Sequence, residues 1–517
     1  MDNNGVGSWL HRRRIKSAAK VALISGERTL SYAELADRAD RLADALHNRG
    51  VRKGDRVAYL GENHPSFVET FFACGLLGAI FVPLNTRLTA HELQFQLQDS
   101  GARLMVNAAA LDNVAAASLV DTAVTHRLVV ASDVGSSVAV VPELPAGVEH
   151  YDAAISAAAG APTDEPVTLD DGAMILYTSG TTGKPKGALL THGNITWNCI
   201  NTVVDMDLNR NDVALMISPL FHVASLDMGL LPMLLKGATV VLESKFDAGR
   251  VLELVGRHKV TTLNGVPTTF QMLCDHPDWS TADLSSLDKL TCGGSAVPAR
   301  VLDAYEQRGV GFTNCYGMTE TAPGATMLPV SRSKDKAGSA GLPHFFTDIR
   351  IADPLGGPAP AGSVGEIQIS GPNVIKQYWN RPQATAESYA DSSWFRSGDM
   401  GCQDDEGFLF VSDRIKDMII SGGENVYPAE VEAAIAELSA VASVAVIGVA
   451  DDKWGEVPRA IVTLREGQSL TEEQLRSHLD GRLARYKIPK SVVFVEEMPR
   501  TASGKIRKMD LRRQFAT

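Results

Sequence analysis

Residues 177 to 187 read YTSGTTGKPKG, which places three glycines, two lysines and four aliphatic hydroxyls in eleven positions. The stretch follows the apolar run MIL, so an incoming strand would release its backbone N–H groups into a concavity, and such a nest attracts phosphate oxygens. Thr178, Ser179, Thr181 and Thr182 would add hydroxyl donors, and Lys184 and Lys186 positive charge. Gly180, Gly183 and Gly187 would let the backbone approach a polyphosphate closely. A plain surface turn would not require this density of donors directly after a buried strand. The spacing does not fit GxxxxGK followed by Ser or Thr, and no GxGxxG follows a strand. Walker-type NTPases and Rossmann dehydrogenases are therefore disfavoured.

The elements that must position this loop are legible in outline. A chain of 517 residues is too long for one core and should divide into two or more domains. With 44% hydrophobic and 21% charged residues it reads as a packed globular protein. Lysine and arginine total 49 against 61 acidic residues, a net charge of −12, which argues against nucleic acid or anionic lipid as partners and favours small molecules. The six cysteines lack CxxC pairing, so neither a disulfide framework nor a zinc site is expected, and a reducing, cytoplasmic location is. The longest apolar run, FFACGLLGAIFVPL from Phe71, has 14 residues and contains Pro83; a membrane span needs roughly 20, so it reads as core. The basic HRRRIK near the N-terminus reads as a solvated face of the first helix, not a secretory signal.

SYAELADRADRLADALHNRG predicts a helix with Ser31 and Glu34 as a capping box, Leu35, Ala39, Leu42 and Leu46 on one face, and Gly50 after its end. DRVAYLG, AIFVPLN, ARLMVNA, GATVVLESKF, VTTLNGVP and KLTCGGSAVP then alternate with helical stretches, as in a layered α/β domain. The alanine-rich AAISAAAGAPTDEP reads as a surface connection. Beyond SDRIKDMIISGGENVYP the pattern changes: VYPAEVEAAIAEL and TEEQLRSHLDGRLARY read as helices, and SVAVIGVA, RAIVTL and SVVFVEEM as strands, making a separate small α+β domain.

Four further blocks follow the glycine-rich loop in order: NCYGMTE ending at Glu320, WFRSGDMG around Asp399, SDRIKDMIISGGENVYP from Ser412, and PRTASGKIRK ending at Lys508. Together with YTSGTTGKPKG they extend over most of the chain, and in this order they resemble the adenylate-forming superfamily of acyl- and aryl-CoA synthetases, peptide-synthetase adenylation domains and beetle luciferase. The resemblance implies an α/β multidomain fold: a large N-terminal domain, residues 1–413, of β-sheets packed with helices plus a distorted β-barrel; a hinge, 414–416; and a small mobile α+β C-terminal domain, 417–517. It also implies a reaction in which a carboxylate attacks the α-phosphorus of ATP, pyrophosphate leaves, and the acyl group passes to a thiol, usually of coenzyme A. A carboxylate is already an anionic nucleophile, so the absence of a GxSxG-type triad motif fits; the step needs charge stabilisation instead.

Residue by residue, the resemblance makes Lys505 the catalytic cation that orients the carboxylate against the α-phosphate. Thr319 would hydrogen-bond that phosphate and Glu320 would hold Mg²⁺, a metal that rarely receives a full protein cage. Thr178, Ser179, Gly180, Thr181, Thr182, Gly183, Lys184 and Lys186 would contact ATP. Tyr316 would stack on adenine beside Gly293, Gly294, Ser295, Asn314, Cys315, Gly317 and Met318, with Asp399 and Arg414 on the ribose. Lys416 falls at the hinge, about which the small domain would rotate between an adenylating and a thioester-forming pose. Ser421, Gly422, Gly423 and Trp454 would line the approach of coenzyme A.

His222 would sit near the carboxylate end of the acid, where peptide-synthetase domains usually carry aspartate, which argues against an α-amino acid. Val223, Ala224, Ser225, Asn264, Gly265, Val266 and Gly317 would form an apolar wall. A medium- or long-chain fatty acid is the expectation from the small residues there, with an aryl acid as alternative. Loading of a separate carrier protein, a non-catalytic nucleotide- or acyl-binding homologue, and a light-emitting oxidase remain alternatives to a CoA ligase. Partners are then an acid, ATP and coenzyme A; homodimers are frequent among proteins of this kind.

Overall fold

The computed structural model describes residues 2–131, 145, 147–160, 165–178, 185–293, 297, 299–353, 355–391, 393–414, 417–421, 424–451, 454–480, 482–483, 485–501 and 504–516. Its large N-terminal part is built on three sheets and its smaller C-terminal part on a fourth. One eight-stranded sheet runs from Gln377–Tyr378 at one edge through Lys186–Thr191, Gly172–Thr178, Ile80–Leu84, Arg56–Leu60, Leu104–Ala108 and His126–Val130 to Val148–His150. A nine-stranded sheet carries Gly324–Met327, Phe312–Gly317, Lys289–Gly293, Thr262–Gly265 and Val213–Met216 as consecutive neighbours, four of the five mutually parallel. The third sheet is four-stranded and antiparallel, Asp348–Ala352, Gly365–Ser370, Phe395–Gln403 and Leu409–Arg414.

Local chemistry explains why these elements form where they do. Helix Tyr32–Asn48 begins with the predicted capping box, Ser31 Oγ accepting from Glu34 N and the Glu34 carboxylate accepting from Ser31 N at 2.8 Å. Its Leu35, Ala39, Leu42 and Leu46 are fully buried, and Gly50 takes the positive φ of 86° that follows the helix end. The apolar run from Phe71 closes helix Pro65–Leu77 and supplies strand Ile80–Leu84, every residue of both being buried. That is core, as expected.

The C-terminal part has Gly455–Leu464 at its centre, pairing antiparallel with Val441–Asp451 and parallel with Ser491–Phe494. Helix Pro428–Ala436 starts at its proline, as the sequence predicts. Three expectations are corrected. The helix expected across TEEQLRSHLDGRLARY spans only Glu472–Leu479, because Asp480 turns to extended backbone (ψ 129°) before Gly481. The alanine-rich connection begins with a helix, Tyr151–Ala157, that buries Tyr151, Ala154 and Ile155. The HRRRIK face is only partly solvated: buried His11 and half-buried Arg14 both reach Asp40, at 2.5 and 3.0 Å, and Arg13 donates to Leu235 O at 2.8 Å. No helix among the described residues is long and apolar enough to cross a membrane.

Candidate active site

Strands Gly172–Thr178 and Lys186–Thr191 pair antiparallel with Thr178 opposite Lys186, so the glycine-rich loop closes a hairpin at the sheet's end. Ser179, Gly180, Thr181, Thr182, Gly183 and Lys184 lie outside the described residues; Thr178, Lys186 and Gly187 fix where the loop leaves and returns. The edge strand Gln377–Tyr378 adds to this hairpin, with Tyr378 opposite Ala188 and Trp379 N donating to Gly187 O at 2.7 Å.

Strand Phe312–Gly317 delivers the next block from the other large sheet. It ends in the tight turn Thr319–Thr321, held by Met318 N donating to Thr321 Oγ1 at 3.1 Å. Gly317 is required, since a Cβ there would fall 1.7 Å from Pro323 O. The turn brings Glu320, 9% exposed, to the loop strands: its Oε1 accepts from Tyr378 Oη at 2.8 Å and from Thr178 Oγ1 at 3.4 Å. Lys186 Nζ lies 5.0 Å above the Tyr378 ring. Burial, and then the Glu320 charge, raise the Tyr378 pKa, so the phenol remains a donor.

Tyr316 donates its hydroxyl to Asp399 Oδ2 at 2.7 Å, with Asp399 itself 6% exposed. Strand register sets Asp399 directly opposite Arg414. The expected ribose pair is thus assembled by an antiparallel ladder, although only the backbone of Arg414 is described. Gly293 ends its strand opposite Cys315, whose thiol donates to Cys292 O at 3.5 Å and is pushed up to about 12 by burial, offset in part by the charge of Lys505. Asn314 Oδ1 is buried with no partner among the described residues. Gly294 and Ser295 lie outside the described residues.

His222 packs at a tilt against Phe221 with centroids 4.7 Å apart and planes at 52°, and its Nε2 is buried without a described partner. Burial, then the charges of Lys505 and Arg87, depress its pKa to about 4, so the ring is neutral at pH 7. Val223 and Ser225 are buried beside it, and Ala224 is exposed. The chain continues as a π-helical turn, Leu226–Leu230. Asn264, expected in an apolar wall, holds a buried amide with neither Oδ1 nor Nδ2 partnered among the described residues. A Cβ at Gly229 of the π-turn would stand 3.2 Å from Asn264 Nδ2.

Lys505 is exposed, in a turn closed by Thr501 N donating to Lys505 O at 2.7 Å and Lys505 N to Thr501 Oγ1 at 3.1 Å. Gly504, at φ 85°, lies so close to the large domain that a Cβ on it would be 3.3 Å from both Val266 Cγ2 and Thr268 Oγ1. The C-terminal lysine is thereby brought near enough to His222 and Cys315 for its charge to lower the titration of both. Ser421 is buried and opposite Gly455, which places it beside Trp454, itself 41% exposed under Lys490 at 5.7 Å. Gly422, Gly423 and Lys416 lie outside the described residues. Among the described residues no group of three His, Cys, Asp or Glu could cage a metal. A single carboxylate suits magnesium that arrives with phosphate ligands.

Two contributors escaped the sequence reading. Tyr378 joins Thr178, Lys186 and Glu320 only because distant strands pair, and no spacing rule signals that. Helix His192–Asp205 presents Asn194, Asn198 and Asn201 on one buried face, a helical spacing that was legible. Asn198 donates to Asp227 O at 2.7 Å and accepts from Gly324 N at 2.9 Å. It thereby ties the π-turn beyond His222 to the strand that follows the Thr319–Thr321 turn.

These sheets, and the lysine reaching across from the small domain, are those of an enzyme with two-part architecture, and family comparison agrees. The chain belongs to the AMP-binding enzyme family: the AMP-binding enzyme model matches residues 11–379 and the AMP-binding enzyme C-terminal domain residues 430–505. It is 49% identical to a feruloyl-CoA synthase of an Amycolatopsis species over 100% of both chains. It is 42% identical to an indoleacetate–CoA ligase of Aromatoleum aromaticum, covering 99% of this chain and 98% of that one. The o-succinylbenzoate CoA synthetase of Bacillus subtilis, solved with its acyl-adenylate intermediate, matches with a TM-score of 0.84 at 34% identity over 98% of both chains. The protein is accordingly an AMP-forming acid–thiol ligase that uses ATP and coenzyme A.

Proposed function

We propose that the enzyme activates an aryl carboxylic acid carrying a hydrogen-bonding substituent, such as a hydroxylated cinnamate, and transfers it to coenzyme A. The observation that carries the two-step reading is Lys505 docked by Gly504 against Val266 and Thr268, beside neutral His222. In this pose Lys505 would hold the acid's carboxylate and an α-phosphate oxygen together, lowering the repulsion between two anions as the acyl–O–P bond forms and the P–O bond to pyrophosphate breaks. Thr319 would donate to the same phosphate, and Lys186 and the loop hydroxyls would receive the pyrophosphate. Mg²⁺ entering with ATP would neutralise phosphate charge, and Glu320 is the residue that would hold it.

The domain division is 1–413 and 417–517 about residues 414–416, which begin at the last residue of strand Leu409–Arg414. Rotation there would withdraw Lys505 and bring the Ser421 hairpin and Trp454 to the cleft for thiol attack. Asn264 turns the choice of acid from an alkyl chain to a substituted aryl group. A buried amide left unpaired costs about 1–3 kcal/mol, and a hydrocarbon tail would leave it so. The names of the 49% and 42% relatives, both aryl-acid ligases, support the same choice.

Pyrophosphate release should be measured with ATP and Mg²⁺ for 4-hydroxycinnamates, unsubstituted cinnamate and fatty acids of graded length. The hydroxylated acids should give the highest kcat/KM. A fatty acid exceeding them would replace this substrate class.

A further inference from the structure

Tyr378 touches both charged residues of the phosphate end of the site. Its Oη donates to Glu320 Oε1 at 2.8 Å while its ring face carries Lys186 Nζ at 5.0 Å. The residue is 8% exposed and is anchored by the edge strand's pairing to Ala188. Both described bonds to the Glu320 carboxylate, from Tyr378 and Thr178, fall on Oε1. Among the described residues no hydrogen bond falls on Oε2, and Lys186 makes no ion pair with Glu320.

A lysine on the face of a tyrosine and a carboxylate on its hydroxyl could, without the ring between them, meet as an ion pair. Such a pair would neutralise the cation meant for phosphate and the anion meant for metal. The aromatic ring offers the ammonium a different seat, and the phenol gives one carboxylate oxygen a fixed donor. The second oxygen is left to a cation.

We infer that Tyr378 is a positioning residue that holds Lys186 and Glu320 apart and orients Glu320 Oε2 toward the metal of the incoming metal–ATP. The inference rests on the proposed ligase reading, with Glu320 as the metal-holding carboxylate. Its consequences are confined to the first half-reaction, since metal and triphosphate are needed only there.

The test uses the full-length enzyme with Tyr378→Phe, which keeps the ring, and Tyr378→Leu, which removes the seat for Lys186. Tyr378→Phe should raise the Mg²⁺ concentration for half-maximal pyrophosphate release about tenfold, the usual effect of removing a hydrogen bond that orients a metal ligand. Tyr378→Leu should raise the KM for ATP as well. Binding of Mn²⁺ in the presence of a non-hydrolysable ATP analogue, followed by electron paramagnetic resonance, should weaken in parallel. Thioester formation from supplied acyl-adenylate and CoA should stay within about twofold of wild type. An unchanged metal requirement in both variants, or equal loss in both half-reactions, would overturn the assignment of Tyr378. Failure of the wild type to release pyrophosphate with any acid would instead remove the ligase reading on which it rests.

Discussion

At the scale of single residues the site is organised by where the fold holds each charge. Lys505 is exposed, and after burial its charge is the next cause that keeps His222 neutral. Lys505→Ala is expected to slow pyrophosphate release by at least about 100-fold, as for other lost transition-state cations, while thioester formation from supplied acyl-adenylate remains nearly intact; single-turnover assays of each half-reaction separate the two. Equal loss of both steps would contradict the division of labour. Asn264→Leu should shift the ratio of kcat/KM toward unsubstituted cinnamate over its hydroxylated counterpart by about tenfold. No shift would remove Asn264 from substrate reading. Lys505, Thr319, Glu320 and Asp399 were all nameable beforehand because their order along the chain resembles a family. Asn264 is legible as polar in the sequence, but that its buried amide finds no partner among the described residues depends on packing that no local pattern records.

At the scale of elements, helix His192–Asp205 is the strut of the large domain. Asn194 donates to Pro372 O and Val374 O at 2.9 and 2.8 Å, Asn198 spans Asp227 and Gly324, and Asn201 donates to Thr347 Oγ1 at 3.1 Å. Asn373 completes the web by donating to Thr321 O at 2.8 Å and Gly324 O at 2.7 Å. Asn198→Ala would leave the Gly324 N–H buried without its acceptor and leave Asp227 O with only the weak Cys199 thiol donor, a cost of about 2 kcal/mol, read as a lower urea midpoint. It should also depress kcat for pyrophosphate release more than Asn201→Ala at matched stability, because only Asn198 connects the π-turn to the strand behind Glu320. Equal effects of the two variants would reduce Asn198 to a scaffold role. The strands and the capped helix were legible from periodicity and caps, and the buried run from Phe71 from its apolarity. The pairing of Gln377–Tyr378 with Lys186–Thr191 was not, because nearly two hundred residues separate the strands and long-range register leaves no local trace.

At the scale of the whole molecule, Gly504 of the small domain stands so close to the large one that a Cβ on it would be 3.3 Å from Val266 Cγ2 and Thr268 Oγ1, and this contact carries the lysine that would leave after the first step. Lys416→Pro, at the proposed hinge, should spare adenylation and block thioester formation; unchanged thioester formation would remove the hinge. Loss of stability in acid follows from buried neutral histidines. Burial depresses His192 and His222 from the ordinary value of 6.5 to about 4. Between those values the unfolded chain binds protons that the folded chain refuses. The stabilisation is therefore whole above about pH 6.5 and lost as pH falls toward 4, on the order of 3 kcal/mol at fully buried His192 alone. A urea midpoint that stayed flat from pH 7 to pH 4.5 would contradict this.

The central claim is that one chain makes an acyl-adenylate and then a CoA thioester. The most direct test is mass spectrometry of products formed from ATP, Mg²⁺ and a hydroxylated cinnamate, with and without CoA. An aryl-CoA thioester and AMP formed only when CoA is present is the predicted result. Pyrophosphate release with acyl-adenylate accumulating and no thioester in the presence of CoA would contradict it, and would move the acceptor to a carrier-protein thiol.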